Sequence, residues 1–380
     1  MLMSVAILDG FKQSIEKKLT GFASHITVTN HDANYSYQAN PIEKNEEIEN
    51  KILKIQGVKH IQAIAIKAGL VKTMNDTYGV VLKGVGADYD WSFIEENIVR
   101  GNHFVVPQKE TKPLKDVVIS EEMAKKFNVD TGSYIYMYFI EEQTRMRKYK
   151  VVGIYNSSLS EFDKIYIYAD IHDIERLNNW NYKDKEQFTG YEILINDFKK
   201  LDKVALDVNR KVGFRFDNKG NKLKISTIKE LYPQIFDWLS LLNMNAAVLL
   251  IIMFFVASIN MITALLILIL ERTNMIGLLK AIGSTNKSIR KIFIFNGLII
   301  LLKGLIWGNL ITFAIILLQH YTHFIPLNPQ IYYINYVPFS IDITKILLIN
   351  IGMIILTFLV LLLPSMFITK IDPVKAIKFN

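Results

Sequence analysis

Cysteine is absent from the 380 residues, which excludes disulfides, thiolate metal sites and a cysteine nucleophile. The seven histidines form no H-x-x-x-H pair, so an imidazole metal site has no basis in the sequence. No Gly-Lys dipeptide occurs, and with it goes any G-x-x-x-x-G-K-[ST] phosphate loop; the chain does not bind ATP by that route. Gly84-Val85-Gly86 lacks the third glycine and following helix of a dinucleotide site and reads as a turn. Ser160-Glu161-Phe162-Asp163 offers two acidic groups without histidine, lysine or a second cluster, and reads as a solvated loop. Internal repeats, low-complexity tracts and Pro/Ser-rich linkers are missing as well. The net charge of +8 is spread over scattered lysines and not gathered into one arm or helix, which argues against a nucleic-acid partner. No catalytic, cofactor-binding or metal-ligating constellation is visible.

What the chain has in abundance is apolar side chains. Hydrophobic residues make up 51% and mean hydropathy is +0.21, too apolar for an ordinary soluble protein, yet 21% charged residues are too many for one wholly in lipid. A membrane part and a soluble part are implied. Residues 246–270 run without a charge, and at 1.5 Å per residue they suffice to cross a hydrocarbon core of about 30 Å. Residues 292–318 form a second span, interrupted only by Lys303, and 346–368 a third, with Pro364 near its end.

Basic residues near the ends of a span stay on the cytoplasmic side. The loop 271–291 carries Arg272, Lys280, Lys287, Arg290 and Lys291, and the tail carries Lys370, Lys375 and Lys378, whereas the loop 319–345 has only Lys345. The short basic loop and the C-terminus are therefore expected in the cytoplasm, with everything before residue 246 on the outer face. Residues 1–8 are apolar but are neither a complete signal peptide nor long enough to span. They read as the outer half of a first transmembrane helix, giving an expectation of four spans in the natural protein.

The resulting fold class is a transmembrane α-helical bundle, three complete spans plus the outer half of a first, with a large extracytoplasmic α+β domain. The expected divisions are 1–23 for the outer end of the first helix and its stalk, 24–227 for the domain, and 228–380 for a second stalk, the three spans, the cytoplasmic loop 271–291 and a short cytoplasmic tail. Phe11, Ile15, Leu19 and Phe22 fall at helical spacing, as do Ile228, Leu231, Ile235, Trp238 and Leu242, with Pro233 starting or kinking the second helix. Two such stalks either carry motion outward or simply pack on the domain. Between them, strand-like runs at 25–29, 80–83, 133–140 and 148–155 mix with helical stretches at 41–55 and 120–127. Asn128-Val129-Asp130-Thr131-Gly132 reads as a helix stop and a turn into a strand.

Residues 271–283 are expected to form a short helix with Met275, Ile276, Leu279 and Ile282 on one face, stopped by Gly283, and Ser284 or Thr285 then caps the next helix. Its apolar face suits docking into a groove of a soluble partner, and equally suits lying on the membrane surface. The pattern E-R-x-x-x-I-G-x-L-K-A-I-G from Glu271 to Gly283, followed by Ile289 and Phe293, resembles the signature of the FtsX/MacB-type permeases of ABC transporters. The resemblance implies a MacB-like periplasmic core and makes this loop the coupling helix that receives movement from the ATPase. That role would fall on Glu271, Arg272, Ile276, Gly277, Leu279, Lys280, Ala281 and Gly283, with Met275 on the same helix.

Further stretches resemble the lipoprotein-releasing branch: Asp9-Gly10-Phe11 with Ile15, Leu19, Gly21 and His25-Ile26; the loop from Pro326 to Pro338; and Asp372-Pro373-Val374-Lys375-Ala376-Ile377 at the end. The resemblance covers essentially the whole chain. It implies a bacterial inner-membrane subunit with no cofactor of its own, ATP and Mg being held by an ABC ATPase dimer. A second permease subunit, the same or related, and a lipoprotein substrate complete the set. Where hook-bearing members carry a long Pro-rich excursion that grips a periplasmic carrier, this chain has the short Glu141-Glu142-Gln143-Thr144-Arg145, as in a hookless partner. The acyl chains would enter between the first span and 246–270, lined by Met253, Phe254, Phe255 and Ile259. Lys303 lies roughly 16 Å into its span, where a charge costs at least about 2.5 kcal/mol unless it meets water or a partner. It either lines that cavity or snorkels, and Gly304 and Gly308 permit close helix packing beside it. Efflux or control of cell-wall hydrolases by the same stroke is an alternative, and a membrane-anchored sensor or adhesin without an ATPase is one from a different class.

Overall fold

The computed structural model describes residues 1–31, 40–73, 76–107, 112–140, 144–180, 186–213 and 222–370. The short closure at 141–143 and the terminal motif at 372–377 lie outside them. The chain forms two compact units, Met1–Gln13 with Asp237–Pro326 and Tyr336–Asn380, and Ser14–Phe236 with Leu327–Asn335.

Helix α1 (Leu2–Ala23) buries Phe11, Ile15, Leu19 and Phe22, and ends at Ser24, whose φ of 58° turns the chain into strand β1 (Ile26–Asn30). Strand β2 (Ile42–Glu43) precedes α2 (Glu46–Leu53), so the helix expected over 41–55 begins only after Asn45, whose side chain accepts from the amides of Glu47 and Ile48. The long antiparallel pair β3 (Val58–Lys72) and β4 (Thr77–Val85) follows, then α3 (Ser92–Asn97), β5 (Ile98–Gly101) and β6 (Asp116–Ser120). Gly84 and Val85 thus end a strand and do not form a turn; a Cβ on Gly84 would lie 2.9 Å from the backbone of Ile171, which explains the glycine. Ser120 caps α4 (Glu121–Phe127) through the amide of Met123, and Asn128 ends it in the left-handed region.

In the hairpin β7 (Tyr134–Phe139) and β8 (Arg145–Tyr155), Ile135, Met137 and Phe139 point inward while Tyr134 and Tyr136 are exposed, the two-residue period of a half-buried strand. Helix α5 (Ser160–Asp163), β9 (Tyr166–Asp170), α6 (Ile171–Leu177), β10 (Gln187–Phe188), β11 (Gly190–Ile195), α7 (Leu201–Val212), β12 (Leu223–Thr227) and α8 (Ile228–Leu231) complete the domain. The main sheet runs β12-β1-β11-β3-β4-β9-β6-β8-β5, with β7 pairing β3 and β8, and β2 and β10 pair apart. Because β1 pairs β12 with Ile26 opposite Thr227, the chain enters the sheet from α1 and leaves it into α8 at the same end of neighbouring strands. The amide of Ile228 donates to the carbonyl of His25 at 3.0 Å, tying entry to exit.

The other unit is helical. Tyr232 breaks the chain after α8, and Pro233, with fixed φ and no amide hydrogen, opens α9 (Pro233–Glu271). The short helix α10 (Thr273–Ala281) and α11 (Asn286–Thr322) follow; α12 (Pro329–Tyr332) belongs to the domain unit, and α13 (Ile343–Ser365) is the last long helix. Among the described residues three helices are long and apolar enough to cross a membrane, at Pro233–Glu271, Asn286–Thr322 and Ile343–Thr369. With 39 residues, α9 is about 58 Å long, roughly twice a hydrocarbon core, so much of it extends beyond a bilayer.

Candidate functional site

The loop between α9 and α11 is built to be rigid. Thr273 donates its hydroxyl back to the carbonyls of Ile269 (3.2 Å) and Leu270 (2.7 Å), joining the end of α9 to the start of α10. Gly283, at φ 95°, stops α10: its amide donates to Lys280 O and that of Ser284 to Leu279 O, a left-handed C-cap that only glycine adopts without strain. Of the two capping candidates Thr285 serves, accepting from the amide of Ser288 at 3.3 Å.

Ile276 is fully buried in a cluster with Leu265 and Ile269 of α9, Ile289 and Phe293 of α11, Leu361 of α13 and Ile368, and Leu279 packs beside it. Lys280 Nζ donates to the carbonyl of Ile368 at 2.7 Å, and Arg290 Nε to Ser365 Oγ at 3.2 Å. One face of α10 is thereby fixed to the ends of all three long helices. The apolar residues do not share that face. Met275, Leu278 and Ile282 are 41%, 58% and 72% exposed, and Glu271, Arg272, Ala281 and Gly283 are exposed with them. At 100° per residue Met275, Leu278 and Ile282 form one stripe, with Ile276 about 100° away. Met275, Ile276, Leu279 and Ile282 fall within one arc of about 120°, and burial divides it: Ile276 and Leu279 pack on the long helices while Met275 and Ile282 stay exposed.

The residues expected to line a lipid cavity lie on outward surfaces. Met253, Phe255 and Ile259 are exposed and Phe254 half-buried, its carbonyl accepting from Ser258 Oγ at 2.8 Å. Lys303 is exposed, and among the described residues it forms no hydrogen bond or ion pair. Space beside Gly304 and Gly308 is open, while Gly297 packs on Leu361, so α11 meets α13 through the turn at Gly297 and again through Asn309 Nδ2 donating to Asn350 Oδ1 (3.0 Å). The Asp9-Gly10-Phe11 motif has a structural explanation. Asp9 pairs with Lys345 at 2.6 Å, Gly10 leaves room for the backbone of Pro338, and Phe11 meets Trp238 edge-on at 5.5 Å.

In the domain, two charged groups escaped sequence reasoning. Lys83, 3% exposed, donates 2.7 Å bonds to Glu192 Oε1 and to the carbonyl of Phe22 in the last turn of α1. Gln62 Nε2 donates to the other oxygen of Glu192, and the rings of Phe22, Tyr89 and Tyr168 lie 5.6–5.9 Å from the ammonium. A lone lysine in the apolar run Val80-Val81-Leu82-Lys83-Gly84-Val85 was its one sequence signal. Asp163 is the second: the 160–163 stretch is a helical turn with Asp163 buried and not a solvated loop. It accepts from Ser157 Oγ at 2.6 Å, and burial pushes its carboxyl up to about 6. Among the described residues no group of three or more His, Cys, Asp or Glu is placed to hold a metal ion.

Residues 1–210 match the MacB-like periplasmic core domain and residues 247–373 the FtsX-like permease C-terminal region. The chain belongs to the FtsX/MacB-type permease family. This permease is 25% identical to the lipoprotein-releasing system transmembrane protein LolC of Buchnera aphidicola subsp. Schizaphis graminum (strain Sg), over 98% of this chain and 88% of that one. To the lipoprotein-releasing system transmembrane protein LolE of Haemophilus influenzae (strain ATCC 51907 / DSM 11121 / KW20 / Rd) it is 19% identical, over 99% and 90%. Among solved structures, the periplasmic region of MacB from Actinobacillus actinomycetemcomitans aligns with 59% of this chain and 97% of its own, at 14% identity and a TM-score of 0.36. Family membership makes the chain a permease subunit of the ABC-transporter class, with an α+β periplasmic core joined to three apolar helices.

Proposed function

We propose that this permease is the membrane subunit of an ABC transporter that extracts lipoproteins from the bacterial inner membrane and passes them to a periplasmic carrier. The observation that carries the reading is α10: one side is anchored in the cluster around Ile276 while Met275, Leu278 and Ile282 are left exposed beside basic side chains. An exposed apolar stripe on a short helix anchored to three long ones can receive a push and hand it on undamped. The permease performs no chemistry of its own. ATP is hydrolysed on a partner ATPase dimer that docks on α10 from the cytoplasm, the side assigned to Arg272, Lys280, Lys287, Arg290, Lys291 and the C-terminal tail by their charge. A second permease, the same or related, faces this one across the membrane. The exposed Met253, Phe255 and Ile259, with Phe254 and Lys303, contribute to the wall that holds the lipid anchor. Burial of acyl chains at about 0.8 kcal/mol per CH₂ makes spontaneous extraction unfavourable, which is why an energy source is required.

The relatives described as lipoprotein-releasing proteins, aligned over nearly the full chain, support the substrate class. The stroke would travel from α10 through α9 and α1 to the paired strands β1 and β12. The test is Leu278→Glu. Its side chain is 58% exposed, so the fold tolerates the change, but a carboxylate in the docking stripe should abolish co-purification of the ATPase and leave lipoproteins in the inner membrane. Full recovery of the ATPase with this variant would sink the docking assignment. Normal lipoprotein sorting in cells depleted of the permease would remove the substrate assignment and favour efflux or hydrolase control.

A further inference from the structure

The segment Leu327–Asn335, in the loop between α11 and α13, groups with the domain unit although both its neighbours in sequence belong to the helical unit. It is a compact turn. Pro329 opens α12, Tyr333 ends it at φ 60°, the amide of Leu327 donates to Asn335 O at 2.9 Å, and Ile334 is buried. A non-glycine residue in the left-handed region is held there only by its surroundings. Here the surroundings are the second half of α1 and the residues 157–163.

Lys18 Nζ donates to the carbonyls of Tyr333 (2.8 Å) and Ser157 (2.7 Å). Ser158 Oγ donates to Asn335 Oδ1 at 3.3 Å, and Tyr333 OH to Glu161 Oε1 at 3.3 Å. Residues 157–163 also receive both stalks, because the Phe162 ring lies 4.7 Å from Phe22 of α1 and 5.1 Å from Tyr232, next to the start of α9. Three connections from the long helices therefore meet at one short segment.

We propose that Lys18 is a positioning residue that clamps the loop between the last two spans onto the 157–163 junction, making this loop a third mechanical lead into the domain. The inference rests on the transporter reading. Two of the three ammonium protons are spent on main-chain carbonyls, one in the loop and one in the junction, so the clamp needs a charged donor here and no particular side chain opposite. Burial lowers the amine to about 8, an effect opposed by the carboxylate of Asp163, and it stays protonated at neutral pH. Movement of α11 or α13 then reaches the domain where α1 and α9 do.

The chain has no cysteine, so Ile334→Cys introduces a single buried probe. In the full permease with its ATPase in membranes, a membrane-impermeant maleimide should label this cysteine slowly. Adding Lys18→Met should accelerate labelling at least tenfold, Lys18→Arg should restore protection, and Tyr333→Phe, which removes the hydroxyl that meets Glu161, should change it about twofold. In the same membranes Lys18→Met should cut ATP-dependent substrate release at least tenfold while basal ATP hydrolysis is retained. Unchanged labelling in Lys18→Met refutes the clamp, and faster labelling with undiminished release refutes the mechanical role. Failure of the wild-type protein to release substrate refutes the transporter reading instead, and the labelling arm still decides the clamp.

Discussion

Replacing Lys83 by methionine keeps the four-atom stem against Phe22, Tyr89 and Tyr168 and removes the ammonium alone. Among the described residues Glu192, 3% exposed, would then keep Gln62 as its one hydrogen-bond donor, and the Phe22 carbonyl would lose the ammonium. Removing one partner of a buried ion pair costs about 3–5 kcal/mol because the other charge stays buried. For a unit of this size each kcal/mol lowers the melting temperature by about 2–4 °C, so a drop of about 6–20 °C is expected. Adding Glu192→Gln removes the stranded charge and leaves an amide that still meets Gln62, so the double variant should melt within about 2 kcal/mol of wild type. The assay is thermal unfolding of the full permease in detergent followed by the fluorescence of Trp91, which packs 5.8 Å from Tyr168, after replacing the other three of the four tryptophans by phenylalanine. A single variant that melts within 2 °C of its parent, or a double variant less stable than the single, would refute the reasoning that the pair and not the stem holds α1 to the sheet.

Ile276→Ala, at a fully buried position among the ends of three helices, should destabilise the helical unit by about 2–5 kcal/mol, read by detergent-resistant thermal aggregation. The exposed Leu278→Ala should stay within about 0.5 kcal/mol in the same assay. Asp163 tests the buried turn through pH. Its folded-state value of about 6 lies above the ordinary carboxyl value of 3.8, so the folded chain binds that proton more tightly and stability falls as pH rises through the window from about 4 to 6. At 1.36 kcal/mol per unit the full penalty is at most about 3 kcal/mol above pH 6. Asp163→Asn should therefore gain about 1–3 kcal/mol over wild type at pH 7 and almost nothing at pH 4 in urea titrations; a gain independent of pH would contradict the burial.

The three long helices were legible because a bilayer imposes length and apolarity on every crossing, and both are read directly from residues 246–270, 292–318 and 346–368. Helix stops were legible for a local reason too: Gly283 and Asn128 sit where the chain must turn left-handed, and Pro233 begins a helix wherever it is allowed one. Helix α10 was expected from its sequence pattern, yet the pattern did not tell which apolar side chains the fold would bury, since Met275, Ile276, Leu278, Leu279 and Ile282 are alike in chemistry. That choice belongs to Leu265, Phe293 and Leu361, which lie on the three long helices outside α10.

Composition and period by themselves thus determined a membrane-spanning bundle joined to an α+β domain and where several helices stop, while the permease assignment needed the resemblance carried by residues 271–283 and the family match. Tertiary structure decided what the isolated charges do. Asp163 looks like part of a solvated loop in sequence, Lys18 looks like an ordinary surface lysine, and Lys83 shows itself only as a charge in an apolar run; the two lysines are settled by distant groups. Their partners, the carbonyls of Phe22, Ser157 and Tyr333 and the carboxylate of Glu192, are between 61 and 315 residues away. A local pattern carries the period of an element and its ends, whereas a buried charge is given its meaning by groups that only the folded chain brings within 3 Å.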